Sequence, residues 1–363
     1  MSVSFSFSFS FSLLLGASPV GVGVAFADSN PAASDAKTIA LPGGPGPVSM
    51  DYLAVEDVPA RVWVPAGNTG NVDIVDIKSG QVTAISGFPT SKQGERVAGP
   101  SSVTIGPATG YVGNRGDTSV CAIDRKTLKK QGCATLTSMP DGLAYVGATH
   151  EVWATTPRDS SLTQIDVTKP DQPKVVGSFK LEGRPEGYAV DQERGIFFTN
   201  FEDKDRTLAI DVHTHKTVID VPTGCGEEGP RGMVLDSAKR VLFVACTDHV
   251  VAMDAAQNLK TLAQAPTSVG LDNIDFLPSS GLLFAVGGKS GTLTVLRWVG
   301  SRTFGRAVTV QTAPKTRVVV VGPEGTAFVA DSAGGRLLAV PAQNIPPEAA
   351  SGKEPGNNES KKK

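Results

Sequence analysis

The chain has 363 residues, with 34 Lys and Arg against 36 Asp and Glu, a formal charge of −2, and 40% apolar residues. Near-neutral charge with no basic block inside the folded part argues against nucleic acid or an anionic membrane surface as partner. No apolar run reaches the ~20 residues that a membrane span needs.

Met1–Ala27 reads as an export signal: the apolar run Leu13-Leu14-Leu15 is followed by small residues and by Ala25-Phe26-Ala27 ahead of Asp28, an A-x-A cleavage pattern. Its first residues alternate Ser and Phe where Lys or Arg is usual. The expected product is soluble and exported, periplasmic or extracellular, with residues 28–36 a flexible leader. Lys37–Leu41 (KTIAL) then reads as a lone strand.

From there to Val340 the chain repeats itself. The unit is clearest at Gly183–Asp220, where four short apolar runs are separated by turn signals. Asp191-Gln-Glu-Arg-Gly195 suits a hairpin whose last residue is left-handed. Copies begin at 51, 101, 141, 186, 231, 272 and 317, a spacing of roughly 40–50 that matches a four-stranded propeller blade. One such meander cannot bury both faces alone. The predicted architecture is therefore all-β, a seven-bladed β-propeller of four-stranded antiparallel blades spanning 37–345. The last copy stops after its third strand, so KTIAL is expected to complete it and remove two exposed sheet edges. Glycine and proline content, Gly 40 and Pro 25, fits so many turns.

The second strands carry YVGN (Tyr111–Asn114), FFTN (Phe197–Asn200), WVPAGN (Trp63–Asn68) and FVAD (Phe328–Asp331). Asp closes the third strand at Asp76, Asp124, Asp166, Asp211 and Asp254. In these motifs the chain resembles the YVTN-type, YncE-like seven-bladed propellers and, more distantly, the lactonase propellers. That resemblance is specific for architecture and weak for activity, because one fold hosts many functions.

Four cysteines in an exported chain invite pairing. Cys121 and Cys133 fall on neighbouring strands of the second copy; Cys225 enters the fifth copy and Cys246 ends its second strand. The expected bridges are Cys121–Cys133 and Cys225–Cys246. The competing reading is a thiolate–metal group with His249, which no CxxC spacing supports. His213 and His215 sit in an outer turn and His150 in another, where polar residues are routine. Trp63 and Trp153 occupy matching second-strand positions and are expected to pack between blades.

The first residues of the inner strands should ring the mouth of the central channel: Asp51, Ser101, Asp141, Glu186, Arg231, Asp272 and Arg317. Beside them come Asn68, Asn114, Asn200, Glu202 and His249, with the loop Gly224–Arg231 overhanging. Channel mouths are wet, so polar residues there also have a purely structural explanation. The functional reading makes Asp51, Asp141, Glu186, Arg231, Asp272, Asn273 and Arg317 a site for a small-molecule or protein ligand. Within it, the carboxylates Asp51, Asp141, Glu186 and Asp272 with Asn273 could hold a hard divalent cation, calcium or zinc, or the arginines could clamp an acidic group; the lactonase resemblance implies a narrower set of cation ligands, Glu186, Asn273 and Asp51 or Asp141. The lactonase resemblance implies the alternative, a metal-dependent lactone or ester hydrolase that polarises a carbonyl and activates water. No activated nucleophile or nucleotide fingerprint is present, so binding is read ahead of catalysis, in a monomer. Gly187 is read as room for a ligand beside Glu186. The tail 346–363 has no apolar periodicity and is expected to be disordered.

Overall fold

The structure, a computed structural model, describes residues 36–341 apart from 45 and 301. The export signal and the tail lie outside the described residues. No helix of the described part is long and apolar enough to cross a membrane.

Seven antiparallel four-stranded sheets follow one another in chain order. Blade 1 comprises Ala54–Glu56, Arg61–Ala66, Asn71–Asp76 and Val82–Ile85; blade 2 Pro100–Ile105, Thr109–Asn114, Ser119–Asp124 and Lys130–Thr135. Blade 3 comprises Leu143–Val146, Glu151–Thr156, Ser161–Asp166 and Lys174–Lys180; blade 4 Pro185–Asp191, Ile196–Phe201, Arg206–Asp211 and Thr217–Pro222. Blade 5 comprises Met233–Asp236, Val241–Ala245, His249–Asp254 and Lys260–Pro266; blade 6 Leu271–Leu277, Leu282–Gly287, Thr292–Val299 and Thr303–Gln311. Blade 7 has Val319–Val321, Ala327–Asp331 and Arg336–Val340, and its outer strand is the N-terminal Lys37–Ala40, paired Lys37 to Ala339 through Ala40 to Arg336. The N-terminal strand thus closes the ring as expected.

Each blade presents apolar side chains on both faces because alternate residues of a strand point opposite ways. The described core accordingly divides into seven clusters, one at each junction between neighbouring blades. Trp63 packs between blades 1 and 2, Trp153 between blades 3 and 4, and both are fully buried. Each indole N–H has a carboxylate acceptor, Glu56 for Trp63 and Glu151 for Trp153, both at 2.8 Å.

The recurring Asp at the end of the third strand organises the turn to the fourth. Asp76 Oδ1 accepts from the Ser79 amide and hydroxyl, Asp124 Oδ1 from those of Thr127, and Asp211 Oδ1 from those of Thr214. These bonds hold the three carboxyls below their usual pKa. The motif is an Asx turn. Gly195 closes the first hairpin of blade 4 at φ +64°, the left-handed conformation its position requires.

Two disulfides join Cys121 to Cys133, directly opposite in the blade 2 ladder, and Cys225 to Cys246. They point to a location other than the reducing cytoplasm. One element escapes the repeat. Ser91–Gln93 and Arg96–Ala98 form a small hairpin between blades 1 and 2, and it accounts for the longest interval between copies, 51 to 101.

Candidate ligand site at the channel mouth

The inner strands of adjacent blades are tied by backbone hydrogen bonds where they meet the channel. The Tyr52 amide donates to the Ser101 carbonyl, Gly232 to Asp272, and Asn273 to Arg317. Such close approach demands small residues. A Cβ on Gly187 would overlap the Arg231 carbonyl, and one on Gly232 would lie 2.7 Å from Asn273 Oδ1. Gly187 therefore serves blade-to-blade contact, and the space expected there for a ligand is filled by Arg231.

The ring predicted from the repeats forms. The charges of Asp51, Asp141, Glu186, Asp272 and Arg317 act on one another around one opening, together with Arg231 and Glu202. Its pairing differs from alignment order. Arg115, from the loop after Asn114, lies between two ring carboxylates, 2.9 Å from Asp51 Oδ2 and in contact with Asp141 Oδ1. Arg317 pairs with Asp272 at 3.2 Å, and Arg231 turns away from the ring to Glu202 at 2.8 Å. Ser101 is buried, its hydroxyl donating weakly to the Gly113 carbonyl at 3.4 Å.

Among the described residues Glu186 has no arginine partner. Its Oε1 accepts the Tyr52 hydroxyl at 3.2 Å. Burial, then Asp141, Asp272, Glu202 and Asp51, push its pKa well above the usual carboxylate range. Burial also raises Asp141, against the opposing pull of Arg115. The Tyr52 phenol is driven up by burial and by Glu186. Tyr52 of blade 1 meets Tyr188 of blade 4, ring centroids 5.3 Å apart. These blades stand on opposite sides of the ring, so the two rings cross the channel and divide it.

The channel has a cavity at each end: the mouth cavity measures about 580 Å³, and the far one, whose wall includes both tyrosines, about 650 Å³. The mouth cavity is lined by Asp51, Ser101, Asp141, Arg115 and Arg317, with Arg96 of the small hairpin. Arg158 and Lys315 complete its cationic rim. Five cationic side chains therefore face two carboxylates there. Asn273 lines the far cavity instead, and its Oδ1 accepts the Ile274 amide at 2.8 Å. Glu186 and Asn273, two of the three residues read as cation ligands, are thus engaged with Tyr52 and with backbone. Among the described residues no group of three His, Cys, Asp or Glu side chains is placed to hold a metal ion.

The neighbouring asparagines are braces. Asn68 bonds Ser49 N and Pro47 O, Asn114 bonds Pro89 O and Gly116 N, and Asn200 ties the Gly187 amide to the Arg231 carbonyl. His249 is held by Asp248 at 2.6 Å and the Gly224 carbonyl at 3.3 Å, beside the Cys225–Cys246 bridge. His215 stacks on Phe179.

Arg115, Arg96, Arg158, Lys315 and the two tyrosines are the site residues that repeat alignment missed. Arg115 directly follows an aligned Asn, so its position was available; the long first interval marked the hairpin that carries Arg96.

No protein-family model matches the chain, and no curated protein does. Solved structures do. A chain of a mitotic checkpoint complex is similar with TM-score 0.69 at 14% identity, covering 93% of this chain and 98% of that one. Virginiamycin B lyase from Staphylococcus aureus is similar with TM-score 0.66 at 12% identity, covering 84% of this chain and 98% of that one. Hydrazine synthase of Kuenenia stuttgartiensis gives 0.67 at 14%, covering 83% and 98%. At such identities the likeness establishes the seven-bladed propeller fold and nothing narrower.

Proposed function

We propose that this is an exported propeller of the YVTN, YncE-like kind that binds a small acidic ligand at the channel mouth. The observation that carries the reading is the lining of the mouth cavity, where the described residues include Arg96, Arg115, Arg158, Lys315 and Arg317 against the two carboxylates Asp51 and Asp141. Arg115 is neutralised by those two carboxylates. Arg317 is paired with Asp272, and Arg96, Arg158 and Lys315 leave the rim positive, so a carboxylate ligand would take planar, two-pronged hydrogen bonds from the arginines. The export half of the reading rests on the A-x-A pattern and on the two disulfides.

Calorimetric titration with gluconate, citrate and neutral glucose at low salt tests the site. Saturable binding of an acid, absent for glucose and weakened at least about tenfold by the double variant Arg96→Ser, Arg158→Ser, is expected; each lost charge-assisted contact is worth about 1.5–3 kcal/mol. Both substitutions lie on the rim and leave the blade ladders untouched. An unaffected affinity, or no binding by the wild type, would remove the basis for the proposal.

A further inference from the structure

The two ends of the channel have opposite chemistry. Along blade 1, Ser49–Asp51 line the mouth while Tyr52–Val55 line the far cavity; along blade 7, Lys315 and Arg317 line the mouth while Val319–Val321 line the far cavity. The far cavity, about 650 Å³, has Tyr52 and Tyr188 in its wall and includes Leu53, Met233, Ile274 and Phe276. Among the described residues its charged lining residues are Asp57 and Asp275, with no Lys, Arg or His. The lining thus mixes apolar side chains with a few fixed polar groups, a combination that small-molecule sites use to hold a body and orient a head.

Asp275 is positioned rather than merely present. Its Oδ2 accepts the Val321 amide of blade 7 at 2.7 Å and its Oδ1 the Phe276 amide at 2.8 Å. The carboxylate therefore spans two blades, and each oxygen keeps a further lone pair for another donor. Asp57 stands exposed on the same wall. We propose that this far cavity is a second binding site, for an organic amine with an apolar body, its ammonium group directed to Asp275 and Asp57 and its body against the Leu53, Met233 and Phe276 walls. Two carboxylates with no Lys, Arg or His among the described residues of the lining favour a cation over a neutral or anionic molecule of equal shape. Asp275 has a pKa of about 6, raised by burial and pulled down by its two backbone hydrogen bonds, so it is mostly ionised at pH 7.5 and available to an ammonium group.

The test is calorimetric titration of the full chain at pH 7.5 with n-octylamine, n-octanol and octanoate, three molecules of nearly one shape. The amine is expected to bind at least about tenfold more tightly than the alcohol, and the acid not at all. Asp275→Asn should lose most of that preference. Asp57→Asn, on an exposed turn where folding is not at stake, should lose part of it, and keeps the proposal open to refutation if Asp275→Asn does not fold. Saturating citrate should leave amine binding unchanged. Equal affinity for amine and alcohol, full amine affinity in both variants, or competition by citrate would overturn the assignment.

Discussion

Asp73 offers a quantitative test of how the ring is held together. It lies on the third strand of blade 1, opposite Val64 in the ladder, fully buried, and neither carboxyl oxygen has a hydrogen-bond partner among the described residues. Val72 and Ile74 on either side face blade 2, so alternation turns Asp73 with Val75 and Val64 toward the apolar junction with blade 7. Burial raises its pKa to about 7. A carboxyl whose folded pKa lies above its unfolded value stabilises the fold fully only below the unfolded pKa, and that contribution is lost as pH rises through the folded one. Taking the unfolded value as about 3.9, the ~3-unit difference amounts to about 4 kcal/mol by pH 8, but only about 1.5 kcal/mol at pH 5. Valine has nearly the same shape and no ionisation. Asp73→Val should therefore stabilise the protein, and its advantage over the wild type should grow by about 2–3 kcal/mol between pH 5 and pH 8. Urea unfolding of both proteins at the two pH values measures this directly, since the carboxyls common to both cancel. An advantage that does not change with pH, or a destabilised variant, would show that Asp73 has a partner and is not an uncompensated buried acid.

Removing the chain through Leu41 deletes the closing strand and Leu41, which is 4% exposed. Leu41 alone is worth about 2–3 kcal/mol and each of about four ladder bonds about 1, so Tm should fall by about 12–14 °C at roughly 2 °C per kcal/mol; a chain beginning at Ala36 should melt like the wild type, and equal melting of the two would refute closure by this strand. Replacing Cys133 or Cys246 by Ser opens loops of 12 and 21 residues and should cost about 3 kcal/mol each, with non-reducing peptide maps of the wild type showing these two pairs alone. Arg115→Met leaves Asp51 and Asp141 without their cation; a loss of about 1–3 kcal/mol is expected. Because Asp141 is already raised by burial and would rise further, that loss should be larger at pH 8 than at pH 5, as thermal melts at the two values can determine.

The sequence by itself determined the architecture. Period, turn residues and the shortened last copy are local or repeated seven times, so each confirms the others, and the four cysteines could be paired from their strand positions. The mouth ring was also legible, because the repeat carries equivalent residues to equivalent places. What only the tertiary structure decided is which neighbour each ring residue meets. Arg115 sits between carboxylates of blades 1 and 3, Arg231 leaves the ring for Glu202, and Glu186 meets a tyrosine from across the channel. Those contacts depend on loop paths and side-chain reach, which differ from blade to blade and leave no periodic trace. The same holds for Gly187, whose missing Cβ serves a neighbouring carbonyl, and for Asp73, whose place in an apolar junction looks in the sequence like any other polar residue of a strand. The opposite charge of the two channel ends is likewise a sum over five or more blades, each contributing one or two residues, and becomes visible only once the ring has closed.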